Sequence, residues 1–152
     1  MNRVTSLGMT AVLLVTLNSY SLCGTAVPRK QRLQEQLSRL LESQAVHCIE
    51  GTLRKINKLG KSNDGDFGEY YGERLFNHLV KDTARACFLR YLISARKDDK
   101  KFILQALFYE AQIRDSKNPC GQIEALLNLY AGKISAAERK MVARLLCTKE
   151  FG

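Results

Sequence analysis

Histidine is nearly absent from this chain; His47 and His78 are the only two. That scarcity removes most of the acid–base and metal chemistry a protein of this size could perform. No G-x-S-x-G, H-E-x-x-H or phosphate-binding glycine loop occurs, so the signatures of the common hydrolase, zinc-protease and nucleotide sites are missing. His47 adjoins Cys48, but adjacent residues on a helix do not face each other, and a Cys–His nucleophile is not expected there. The reading is of a protein that is not an enzyme and carries no cofactor. No RNP, zinc-finger or basic-zipper pattern occurs, so no nucleic-acid partner is expected. There is no N-x-S/T sequon and no segment that alternates with period two. N-glycosylation and β-sheet are therefore both unexpected.

The chain also lacks a long apolar run. Its N-terminal stretch Met9-Thr10-Ala11-Val12-Leu13-Leu14-Val15-Thr16-Leu17 is too short for a membrane span, which needs ~20 residues. Arg3 precedes it, and no further charge appears before Arg29. A basic n-region, a short apolar core and the small residues of Gly24-Thr25-Ala26 have the anatomy of a signal peptide cut after Ala26. The expected organisation is a signal peptide over 1–26 and a single helical domain over 27–152. That cut removes Cys23 and leaves four cysteines: Cys48, Cys87, Cys120 and Cys147. A short exported chain with an even cysteine count reads as a secreted, disulfide-stapled domain.

Charge is strongly positive, +9 over the whole chain. Loss of Arg3 with the leader takes Lys+Arg from 24 to 23 against 15 acids, leaving +8. The bases are scattered, and runs such as Lys97-Asp98-Asp99-Lys100-Lys101 mix signs, which is the pattern of a solvated face. A partner of opposite charge, heparan sulfate or anionic lipid, is the further class that such a balance admits.

Apolar spacing places the helices. Leu33, Leu37, Leu41, Ala45, Ile49 and Leu53 step by four, predicting one helix from about Arg29 to Leu59, with Gly51 as a possible bend. The Gly- and Asx-rich stretch from Lys61 to Glu69 reads as a loop. A calcium loop starting at Asp64 would need an acid where Leu75 stands, so that motif fails. Leu75, Phe76, Leu79, Val80, Thr83, Ala84, Cys87, Phe88, Tyr91 and Leu92 form an i, i+3, i+4 stripe over about Glu73 to Arg96. Asp98 or Asp99 is expected to cap a helix carrying Phe102, Ile103, Leu107 and Ile113. Asn118-Pro119 breaks it. A further helix, about Gly121 to Ala131, buries Ile123, Leu126, Leu127 and Tyr130. Ser135-Ala136-Ala137-Glu138 is a capping box that opens a last helix with Met141, Val142, Leu145 and Leu146 inward.

The fold class expected is all-α, a disulfide-stapled bundle of four to five helices in two hairpins. Four cysteines allow three pairings. Residues equidistant from the turn of an antiparallel hairpin lie level. Cys120 and Cys147 flank the turn near Lys133, and Cys48 and Cys87 flank the loop around Gly65. The expected bonds are Cys48–Cys87 and Cys120–Cys147. Arg29-Lys30-Gln31-Arg32 is also a candidate convertase site.

Two stretches resemble the stanniocalcin family of secreted helical hormones. One is Pro28-Arg29-Lys30-Gln31-Arg32 followed, after a helical run, by Val46-His47-Cys48-Ile49. The other is Cys87-Phe88-Leu89-Arg90-Tyr91-Leu92-Ile93-Ser94-Ala95-Arg96-Lys97-Asp98, continuing into Lys101-Phe102-Ile103-Leu104-Gln105-Ala106-Leu107. The family carries more half-cystines, a sequon and a longer C-terminal part, and the hairpin pairing is not its disulfide pattern. The leader, size and two disulfides also look like those of short-chain four-helix cytokines.

The resemblance implies an extracellular signalling or regulatory protein whose partner is a receptor or another extracellular protein. An amphipathic, cationic lipid-binding effector is the alternative from another class. Recognition is expected on the polar faces of the first and last helices. The first offers Arg32 and Arg39 beside Glu35, Gln36 and Glu42, and the last offers Arg139, Lys140 and Arg144.

Overall fold

A computed structural model describes residues 27–47, 49–62, 65–81 and 86–147. The leader, its cleavage point and Cys48 lie outside the described residues. Among the described residues seven helices run in order: α1 (Arg29–His47), α2 (Glu50–Gly60), α3 (Asp66–Lys81), α4 (Cys87–Ser94), α5 (Lys97–Arg114), α6 (Pro119–Asn128) and α7 (Ala136–Cys147). Among the described residues there is no strand, only an isolated bridge between Ala131 and Ile134. The all-α expectation holds, but with more and shorter helices than the four to five expected.

One of the extra helices comes from a break in the first expected helix. The continuous first helix expected over 29–59 is split, because Ile49 adopts an extended backbone (φ −94°, ψ 123°). Gly51 was the expected bend, but the chain turns two residues earlier. Ile49, expected in the apolar stripe, is consequently exposed. The stripe resumes with Leu53 and Ile56, both buried. A step-of-four pattern cannot show this, since the two halves happen to keep phase across a non-helical residue.

A second correction concerns the stretch read as a loop. Gly65 takes a left-handed backbone (φ 60°), which costs glycine little. Helix α3 then begins at Asp66. Asp66 and Glu69 occupy its first turn, where acids complement the helix dipole. Phe67 and Tyr71 are buried and extend the step of four through Leu75 and Leu79. The segment expected as a single helix from Glu73 to Arg96 is described as α3 and α4. Val80, expected inward, is exposed, as are Ile113 and Met141.

α5 is the central element, packing against α2, α3, α6 and α7. Its buried side, with Ile103, Leu104, Leu107 and Ala111, meets Leu53 and Ile56 of α2, Leu75 of α3 and Leu126 of α6 in one continuous core. Asp98 and Asp99 do not cap α5 as expected. They lie inside its first turn, and the N-cap position is Arg96, without a side-chain cap bond.

α2 and α5 approach closely at Gly60. A Cβ there would lie 2.6 Å from Phe102 Cβ. The C-terminal helices follow the sequence more closely. Asn118 caps α6 by accepting from the Gly121 N–H at 2.9 Å, with Pro119 opening the helix. The Ser135 N–H donates to Glu138 Oε2 at 2.7 Å, and the Glu138 N–H donates to Ser135 Oγ at 3.1 Å, completing the expected capping box.

Candidate interaction surface

Polar groups inside the fold are engaged in holding helices together. The Asn57 side chain enters the first turns of α5. Its Nδ2 donates to the Asp98 carbonyl at 3.1 Å, and its Oδ1 accepts from the N–H groups of Phe102 (3.1 Å) and Ile103 (3.3 Å). Three tyrosine hydroxyls donate to carbonyls of other helices. Tyr71 reaches Ile56 at 2.8 Å, Tyr91 reaches Asp99 at 2.7 Å and Tyr130 reaches Leu79 at 2.7 Å. Burial pushes the Tyr71 phenol well above its ordinary pKa. The Tyr91 phenol is pushed up to about 12, mainly by burial and then by Asp99.

Lys100 is buried, and its ammonium donates to the carbonyls of Leu92 (2.5 Å) and Ile93 (3.4 Å) at the end of α4. Cations suit helix C-termini. Desolvation lowers the Lys100 pKa.

Cys120 and Cys147 stand at disulfide distance with Cα atoms 5.7 Å apart, within the usual window. They join the start of α6 to the end of α7. Cys87 is disulfide-bonded, with the other half-cystine outside the described residues. Gln44 Nε2 lies 3.5 Å from Cys87 Sγ, so the last turn of α1 reaches the start of α4.

The expected recognition residues fall into two separate places. On α1, Arg32 and Arg39 are exposed with Gln36 and Glu42. Arg39 lies 3.8 Å from Glu35, on the side of a shallow groove of about 400 Å³ floored by Ser38 and Tyr70. On α7, Lys140 and Arg144 are exposed. Arg139 is half-buried, and its Nε is buried without a hydrogen-bond partner. α1 packs on α2 and α3, whereas α7 packs on α4, α5 and α6. The two sets therefore do not make one surface through direct helix packing.

The outer face of α2 escaped the sequence reading. With Leu53, Ile56 and Leu59 buried, Arg54, Lys55, Lys58 and Lys61 all point outward. The signal was the i, i+1, i+4, i+7 spacing of these bases opposite an apolar stripe, which the mixed-sign runs elsewhere in the chain obscured. An open groove of about 570 Å³ lies where α2, α3 and α5 meet. It is lined by Gly60, Gly68, Tyr71, Phe102 and Tyr109 among others. Among the described residues no cluster of metal-ligating side chains forms, and no helix is long and apolar enough to cross a membrane.

Fold and surface together define a class: an all-helical domain with a continuous apolar core and at least one cysteine pair tying helix ends. No protein-family model, no curated protein and no solved structure matches the chain.

Proposed function

We propose that this protein is a secreted, non-catalytic signalling or regulatory ligand, hormone-like or cytokine-like, that acts through contact with a receptor or another extracellular protein. The observation that carries this reading is the Cys120–Cys147 pair across the ends of α6 and α7, in a chain that opens with the anatomy of a signal peptide. Disulfides persist in oxidising compartments. A Cys48–Cys87 bond would complete two stapled hairpins, and the approach of Gln44 to Cys87 supports it.

The apolar residues favour this reading over a lipid-binding effector. Most of them are gathered into one core, and the groove between α2, α3 and α5 is open and of mixed polarity. A lipid carrier would need a closed greasy cavity or an amphipathic face turned outward.

The test begins with material secreted by expressing cells. N-terminal sequencing should find Val27 first, and thiol labelling should find no reactive cysteine. Reversing charge at the exposed Lys140 and Arg144 together should leave helicity unchanged while weakening capture of the surface partner and its salt dependence. Stoichiometric thiol labelling of a correctly folded chain would sink the secreted framework. Binding to anionic liposomes with no protein partner would favour the lipid reading.

A further inference from the structure

We propose that the outer face of α2 is a binding surface for a linear sulfated polyanion, a glycosaminoglycan of the heparan sulfate type. The inference rests on the extracellular reading above, because such chains lie outside cells, but it assigns a surface which that reading left open. Arg54, Lys55, Lys58 and Lys61 place four cations along roughly 10 Å of helix at 1.5 Å per residue. Glu50, the one acid within α2, is held by Arg54 at 2.8 Å, and Asp99 of α5 lies near enough to act on Arg54 as well. No carboxylate among the described residues lies within ion-pair distance of Lys55, Lys58 or Lys61. A helix-end role suits Lys58 and Lys61, but it does not account for Lys55.

The same face excludes two rival polyanions. Every apolar side chain within α2 is buried, and the exposed Ile49 stands at its N-cap, so the row of bases carries no apolar side chain to insert into an anionic membrane. No aromatic side chain lies on the exposed face to stack with bases. What remains is a rigid row of point charges. It is rigid because Asn57 fastens α2 to the backbone of α5. A row of this kind fits regularly spaced sulfates through charge alone.

The full oxidised chain is applied to immobilised heparin and eluted with salt. Replacing Lys55→Gln, Lys58→Gln and Lys61→Gln together should lower the eluting salt markedly. By counterion release, it should also reduce the slope of log affinity against log salt by about 2–3. The corresponding three Lys→Arg changes should keep binding, which separates charge from a folding defect. The equal charge loss of Arg139→Gln, Lys140→Gln and Arg144→Gln should cost clearly less, and desulfated heparin should not retain the protein. The inference is overturned if the α2 and α7 variants lose binding equally. It is also overturned if phosphatidylserine vesicles or duplex DNA compete as well as heparin. A secreted chain that passes unretained through heparin overturns it while leaving the extracellular reading standing.

Discussion

Asn57 shows how much a single polar side chain can decide. It is buried, and its side chain makes three hydrogen bonds to the start of α5. Truncation to alanine would strand an acceptor and two donors in the α2–α5 interface. Asn57→Ala is expected to cost about 2–4 kcal/mol, since each stranded buried group costs about 1–3 kcal/mol and the helix recovers part of the loss. Urea unfolding monitored by circular dichroism measures it, with Lys55→Gln, expected within about 0.5 kcal/mol, as the exposed comparison.

Tyr91 gives a pH-dependent prediction. Its folded phenol sits at about 12, above the usual value of ~10 for the unfolded chain. Between these values the unfolded state releases a proton that the folded state keeps, so stability falls as pH rises. Tyr91→Phe should flatten the fall in melting temperature between those pH values, although its lost bond to Asp99 lowers stability at neutral pH. An unchanged alkaline slope would show that other groups dominate it.

Among elements, α7 is the one whose beginning is written most plainly in the residues. The Ser135 N–H and hydroxyl, and then Arg90, hold the Glu138 carboxyl below its ordinary pKa. A depressed carboxyl stabilises the fold fully above the ordinary glutamate range and stops doing so as pH falls through the depressed value. Ser135→Ala should cost about 1 kcal/mol and weaken the acid sensitivity of α7, read by amide exchange in its first turn.

Elements with local signals were legible in this way. α6 has Asn118-Pro119 at its start, and α7 has its capping box. The break at Ile49 was not legible, because nothing at that residue is a breaker and the apolar phase is kept across it. The beginning of α3 was hidden by glycines, although Phe67 and Tyr71 continued the stripe of Leu75 and Leu79.

For the whole molecule, the Cys120–Cys147 pair spans 27 residues of sequence. Cys120→Ser with Cys147→Ser should lower stability by about 3–4 kcal/mol by the chain-entropy account. The two C-terminal helices should lose amide protection first, with the α2–α5 contact still protected. Simultaneous loss of protection across the molecule would instead mean that the staple holds the global fold.

What the residues determined by themselves was helical content, most of the core-forming stripes, the capping box of α7 and the level placement of Cys120 with Cys147. Those follow from periodicity and from interactions a few residues long. Tertiary structure decided the rest: that α5 is the hub, that the first long stripe is two helices, and that the scattered bases of α2 form one outward row while Arg139 turns partly inward. Which side of a helix remains in water depends on every neighbour packed against it. That information is spread over the whole chain rather than held in any one segment.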